Sequence, residues 1–159
     1  ELGVVLLRDN IQRANASIFH AAQSQPQYAG MGTTIVSGLF YDNRVVAGHV
    51  GDSRMYRLRG ETLETITRDH SLLQEQIDGG MISVEDARLS KNKNLVTRAV
   101  GIDAEVVPEI HVHDVLVGDL PAVFGRTERH GGRRGYPVHA VCDAEQPAAG
   151  GGTIDPDGE

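Results

Sequence analysis

The sequence predicts an α+β fold, an antiparallel strand meander flanked by helices, and three observations point there. Val4 to Gln23 carries apolar side chains at helical spacing. Thr33 to Thr67 divides into short segments rich in β-branched and aromatic residues, separated by brief polar turns. Two helical motifs, each opening on a serine, follow at Ser71 and Ser83.

Taken in order, Leu7, Ile11, Ala14, Ile18 and Ala22 form one stripe, while Asp9, Gln12 and Arg13 fall elsewhere. That pattern predicts a surface helix with one buried face. Ser24 to Gly32 contains Pro26 and two glycines and reads as a loop. Thr33 to Tyr41 is a strand candidate, Asp42-Asn43 a tight turn, and Arg44 to Val50 a second strand. After the Gly51-Asp52-Ser53 turn, Met55 to Leu58 reads as a third strand. Arg59-Gly60 then turns into a fourth over Glu61 to Thr67. Ser71 is an N-cap candidate, with Gln74 three residues on and Gly79-Gly80 as the stop; Ser83 and Asp86 repeat the pattern. Asn92 to Gly101 predicts a turn or two of helix closed by Gly101, and Val106 to Val117 returns to strand character. From Pro121 to Glu159 no strand or helix period is found. This segment holds 8 of the 19 glycines and 4 of the 6 prolines, a composition that predicts low order. The chain thus divides into a domain over residues 1–120 and a tail over 121–159.

A length of 159 residues suits one domain, and 40% hydrophobic with 23% charged residues is a globular composition. The net charge of −7, with no basic cluster interleaved with aromatics, argues against nucleic acid as a partner. The lone Cys142 has no second cysteine for an internal disulfide. No apolar run reaches the roughly 18 residues of a membrane span, so no membrane partner is expected and the cytoplasm is the default. The chain begins at Glu1 and enters an apolar pattern within a few residues, which reads as a start partway into a domain.

The chemistry concentrates in the Gly51-Asp52-Ser53-Arg54 turn. Gly51 permits a bend or a close backbone approach, and a carboxylate directly after it could meet a hard divalent cation. The alternative is a turn whose Asp and Ser bond local amides; on spacing alone that reading leads. Arg54 could clamp a phosphate or pair with a neighbouring acid. His111 and His113 share a strand face and could contribute to a metal site, but no third ligand can be placed, and a solvent-facing strand fits them better. His49 precedes the turn on a strand, and His70 stands at a helix start. No Ser/His/Asp nucleophile set and no phosphate-cradling glycine loop is found.

Three ordered stretches then matter together: "GMGTTIVSGLFYDNRVVAGHVGDSRMYRLRG", "LETITRDHSLLQEQIDGGMISVEDAR" and "NLVTRAVG". From about Leu2 to Leu120 the chain resembles the PP2C-type (PPM) metal-dependent protein serine/threonine phosphatases, bacterial members above all. The resemblance implies a two-sheet β-sandwich with helices outside and a binuclear Mn²⁺ or Mg²⁺ centre. There a metal-bridged water attacks the phosphorus of phosphoserine or phosphothreonine. Implied partners are phosphorylated proteins and an opposing Ser/Thr kinase. Asp52 matches the family position that helps hold an additional, weaker metal ion. Asp69 to about Asn94 matches a flap beside the active site, which makes His70 and Ser71 candidate substrate contacts. Gly32, Thr33 and Thr34 match structural positions, and Ser53 and Arg54 stay structural.

The departures are as informative. The family's central metal ligands lie in an Arg-x-x-Asn-Glu-Asp-type segment, an Asp-Gly-x-Gly-Gly-type segment, a Ser-Asp-Gly segment and a late Asp-Asn pair. None occurs here, so no catalytic residue is assigned. The chain is expected to be an incomplete and inactive piece of a phosphatase. The alternative is a non-catalytic pseudophosphatase-type regulatory or binding domain. The Arg-, Gly-, Pro- and Ala-rich tail is read as an out-of-frame product of a GC-rich gene.

Overall fold

The protein is described from a computed structural model, which covers residues 1–90 and 95–124. Helix α1 (Leu2–Ser24) precedes strands β1 (Ile35–Tyr41), β2 (Arg44–Val50), β3 (Arg54–Arg59) and β4 (Thr62–Thr65). Two short helices, α2 (Leu72–Asp78) and α3 (Val84–Leu89), separate these from β5 (Glu109–Asp114) and β6 (Leu120–Phe124). The strands form two antiparallel three-stranded sheets, ordered β1-β2-β5 and β4-β3-β6.

Strand β2 lies at the centre of the first sheet and is buried on both faces, which is why "VVAGHV" shows no polar alternation. Residues two apart share a face, so Val46, Gly48 and Val50 turn toward α1. A Cβ at Gly48 would lie 2.7 Å from Leu7 Cδ2, so glycine lets the helix settle close to the sheet. Ile11 and Val50 meet Val100 and Val106 there, with Leu7, Ile18 and Ile35 packed around them. Val45, Ala47 and His49 occupy the opposite face. Gly38 pairs with Ala47, and a Cβ there would come within 3.0 Å of Met55 Cε of β3. The second sheet therefore lies over this face, and Met55 is fully buried between the sheets.

The predicted stripe on α1 holds, with two additions: Gly3 is buried as well, and so is Asn15. Its side-chain amide donates to the carbonyls of Asp103 and Ala104 at 3.0 and 3.2 Å, and its oxygen accepts from the Gly101 N–H at 2.7 Å. The Asp42-Asn43 turn is confirmed; both residues have positive φ, 47° and 57°, as a two-residue hairpin requires. Both serine caps form: Ser71 Oγ accepts from the Gln74 N–H at 3.2 Å, and Ser83 Oγ from the Asp86 N–H at 3.0 Å.

Three expectations are corrected. The meander does not run unbroken, because β2 and β3 belong to different sheets and the Gly51-Asp52-Ser53 stretch is a corner between them. The Gly51 N–H bonds a histidine side chain from another segment, and the Ser53 hydroxyl bonds Thr34, so no hairpin ladder forms. The helix expected over residues 92–101 is absent from its described part, 95–101, where isolated bridges join Ser71 to Val96 and Thr33 to Val100. Tertiary partners outcompete a stretch too short to nucleate a helix on its own. Finally, order continues past Pro121: β6 pairs with β3 through Phe124, and the proline is tolerated because β6 is an edge strand. Residues 92–94 and the rest of the expected tail, Cys142 included, lie outside the described residues.

Candidate functional site

The corner between the sheets is tightly specified. Gly51 has φ of 104°, and a Cβ there would fall 2.2 Å from Thr34 Cγ2 and 2.6 Å from Thr34 Cβ. Only glycine meets both demands. The two hydroxyls of Thr34 and Ser53 are 2.7 Å apart, tying the start of β1 to the corner. Thr33 exchanges backbone bonds with Val100 at 2.9 and 2.8 Å. A Cβ at Gly32 would strike Ile102 Cδ1 at 2.6 Å. Gly32, Thr33 and Thr34 thus have the structural roles expected of them. Asp52, between Gly51 and Ser53, is buried with 6% exposure.

Arg54 resolves in favour of pairing. Its Nε and Nη2 donate to the two carboxylate oxygens of Asp69 at 2.7 and 2.6 Å, a fork that raises the guanidinium pKa further above its ordinary value. The pair locks the start of β3 to the segment that leads into α2.

His70 follows Asp69 directly and is buried, as is Ser71. His70 Nδ1 accepts from the Gly51 N–H at 3.1 Å, so the neutral ring carries its proton on Nε2, which lies 3.2 Å from Glu109 Oε2. Burial lowers the His70 pKa; the Glu109 bond opposes this, while His49 and the Arg98 guanidinium reinforce it. The His49 ring stacks on it with centroids 4.6 Å apart and planes 22° from parallel, and His49 Nε2 lies 2.5 Å from the Arg68 carbonyl. Glu109 sits opposite His49 across the β2–β5 ladder. Burial pushes its carboxyl up, but bonds from His111 and His70 outweigh that and hold it below the ordinary value. The residues expected to touch substrate therefore direct their polar atoms inward: His70 to Gly51 and Glu109, Ser71 to the first turn of α2.

His111 and His113 do share a face, with ring centroids 6.3 Å apart. His111 is exposed and bonds Glu109 at 2.9 Å, whereas His113 Nε2 is buried without a hydrogen-bond partner. Sequence reasoning missed Glu109 and Arg98, and only their sheet register and loop placement bring them to His70. The acid-to-arginine pairing of Asp69 with Arg54 was legible as a type of contact but not as a specific partner.

No protein-family model matches the chain. Individual proteins do. The serine/threonine phosphatase Stp of Listeria welshimeri is 43% identical over 100 residues, covering 63% of this chain and 40% of the relative. The structure of Stp1 from Staphylococcus aureus superposes with a TM-score of 0.66 at 37% identity, covering 69% of this chain and 43% of that one. Over the matched segment, this chain is similar to bacterial serine/threonine phosphatases, among them the PPM phosphatase MsPP of Mycobacterium smegmatis, at 29% identity with a TM-score of 0.62 over 70% of this chain and 49% of that one. It spans less than half the length of these relatives. The catalytic domain of the serine/threonine protein phosphatase PstP, solved in complex with two manganese ions, matches at 36% identity with a TM-score of 0.58. It covers 67% of this chain and 44% of that one.

Two places in this chain can be weighed as cation ligands. Asp52 offers carboxylate oxygens, the donor type that Mn²⁺ and Mg²⁺ prefer. His49, His70 and Glu109 place potential ligand atoms within 4.8 Å of one another. Their chemistry does not suit a hard cation. Near-parallel stacked rings do not converge their in-plane lone pairs on one point, both His70 nitrogens are engaged, and the Arg98 guanidinium lies 3.5 Å from Nε2. The trio is a hydrogen-bonded support for the corner. Among the described residues no helix is long and apolar enough to cross a membrane.

Proposed function

We propose that this chain carries the accessory-metal corner of a PPM phosphatase that hydrolyses phosphoserine and phosphothreonine in proteins, with Asp52 as a carboxylate ligand to Mn²⁺ or Mg²⁺. The carrying observation is a buried carboxylate on a corner that cannot relax: glycine-only backbone, a hydroxyl pair and a histidine grip fix its position. Divalent cations in such a centre lower the pKa of bound water and offset charge on the transferring phosphoryl group. The substrate class requires an opposing Ser/Thr kinase to supply the phosphoprotein. Residues from Asp69 through α3 form the flap of this reading, with His70 and Ser71 serving as its framework.

The test is Mn²⁺ titration of the purified chain followed by amide NMR. Paramagnetic broadening centred on Asp52 and Ser53 is expected, and Asp52→Asn should abolish it. Broadening that is indifferent to this substitution refutes the assignment. The same purified chain should not turn over p-nitrophenyl phosphate with Mn²⁺, because the motifs associated with the central metals do not occur in its sequence.

A further inference from the structure

From the geometry around Gly51 we infer that His70 is a positioning residue: it grips the Gly51 peptide and so aims the Asp52 carboxylate, with Glu109 selecting the tautomer that makes the grip possible. The importance of the aim rests on the metal reading given above; the grip itself does not.

Two bonds join the same pair of residues. The Gly51 N–H donates to His70 Nδ1 at 3.1 Å, and the His70 N–H donates to the Gly51 carbonyl at 2.9 Å. Gly51 needs such a hold more than another residue would. Having no Cβ, it is the most conformationally free residue type, and at φ of 104° it occupies a region that side-chain-bearing residues rarely adopt. A rotation at Gly51 would swing Asp52 directly, since only one peptide unit separates them.

The grip depends on a lone pair at Nδ1, and therefore on a proton at Nε2. Glu109 Oε2 is placed to accept from that Nε2–H at 3.2 Å. Its own position is set by the sheet, since it stands opposite His49 in the ladder, and by His111 at 2.9 Å on its other oxygen. The His49 ring, stacked at 4.6 Å and tied to the Arg68 carbonyl, holds the plane of His70. The Thr97 N–H donates to the His70 carbonyl at 2.9 Å, fixing its backbone from the far side. The nearest cation, Arg98, discourages a second proton on the ring. Gly51 and Glu109 thus favour one tautomer and the His49 stack one ring plane, while Arg98 Nη1, a donor only, competes from 3.5 Å for a lone pair at Nε2. This arrangement resembles the outer support given to active-site groups, where a carboxylate orients an imidazole and the imidazole orients the functional atom.

Isosteric substitution separates the two ring nitrogens. His70→Asn keeps an acceptor close to the Nδ1 position and loses the reach to Glu109. His70→Gln keeps a group near Nε2 and loses the acceptor facing Gly51. On the full chain, hydrogen exchange at the Gly51 amide should accelerate at least tenfold in His70→Gln and by less than threefold in His70→Asn. The Val46 amide in β2 serves as the control for global stability and should stay equally protected in both. Nitrogen-15 shifts of the wild-type ring should report the Nε2–H tautomer, and Glu109→Gln should mix the tautomers. Equal Gly51 exchange in the Asn and Gln variants, or an Nδ1–H tautomer in the wild type, overturns the inference. Mn²⁺ broadening at Ser53 is recorded on the same samples and should follow the exchange pattern. If the Asn/Gln split appears in exchange but wild-type broadening does not depend on Asp52, the metal reading fails and the grip stands. If broadening depends on Asp52 but the split is missing, the grip fails and the metal reading stands.

Discussion

Replacing Gly51 by alanine tests whether the corner between the sheets is as constrained as its geometry indicates. Two costs can be separated. The first is backbone strain: φ of 104° is foreign to a residue with a Cβ, and such outliers cost about 1–3 kcal/mol. The second is overlap. The added methyl would sit 2.2 Å from Thr34 Cγ2, 2.6 Å from Thr34 Cβ and 3.3 Å from Thr34 Cα. The last two atoms cannot rotate away, so β1 must shift; overpacking of this kind costs about 1–3 kcal/mol. Together these predict a loss of about 2–6 kcal/mol, a large part of a small domain's stability. Gly60→Ala is the matched control, because Gly60 also has positive φ, 59°, yet nothing lies within 4 Å of its would-be Cβ. It should cost only the strain, about 1 kcal/mol. Thr34→Ser removes Cγ2 while keeping the hydroxyl bond to Ser53, and should return part of the Gly51→Ala loss, about 1 kcal/mol, in a double-mutant cycle. The assay is urea denaturation followed by far-UV circular dichroism. Equal losses for Gly51→Ala and Gly60→Ala would refute the argument, since the contact with Thr34 would then contribute nothing.

Two further outcomes follow from the side chains around the corner. Arg54→Ala strands the nearly buried Asp69 carboxylate and should cost about 1–3 kcal/mol, less than a fully buried pair because the guanidinium is 43% exposed; Arg54→Lys should recover little, as one ammonium cannot make both bonds, and full recovery in urea midpoints would contradict the bidentate account. Burial lowers the pKa of both His70 and His113 below the ordinary 6.5, with Arg57 adding to the effect at His113. As pH falls from about 7, the unfolded chain binds these protons first, so stability is full above the unfolded pKa and declines until the folded pKa values are passed. Urea midpoints should therefore drop between about pH 7 and 5, and His113→Asn should flatten the slope; midpoints that rise over this range would show the sign to be wrong.

Local signals carried much of the fold. The stripe through Leu7, Ile11 and Ile18, the Asp42-Asn43 turn and the Ser71 and Ser83 caps each depend on residues a few positions apart, and each forms as its spacing predicts. Pairing between distant segments was less legible. Strand β6 includes a proline and opens a stretch of breaker-rich composition, so only its ladder with β3 reveals it. The helix expected over residues 92–101 fails, where described, because the Thr97 N–H donates to the His70 carbonyl and the Leu95 carbonyl accepts from the Leu72 N–H, groups that a helix would have paired internally.

The candidate site divides the same way. The sequence by itself determined that Gly51-Asp52 is an acidic turn with glycine's freedom before it, that Cys142 has no second cysteine in the sequence for a disulfide, and that the ordered motifs resemble those of PPM phosphatases. It could not determine whether that turn closes a hairpin or joins two sheets. Both use the same residues, and the choice depends on whether the Gly51 N–H finds β3 or His70, nineteen positions away. Nor could it show that Arg54 meets Asp69, or that Glu109, on a strand at the far end of the domain, sets the proton on His70. Such contacts have no fixed spacing, because they are created when the two sheets pack and exclude water, and burial then makes each unpaired polar atom costly enough to select its partner.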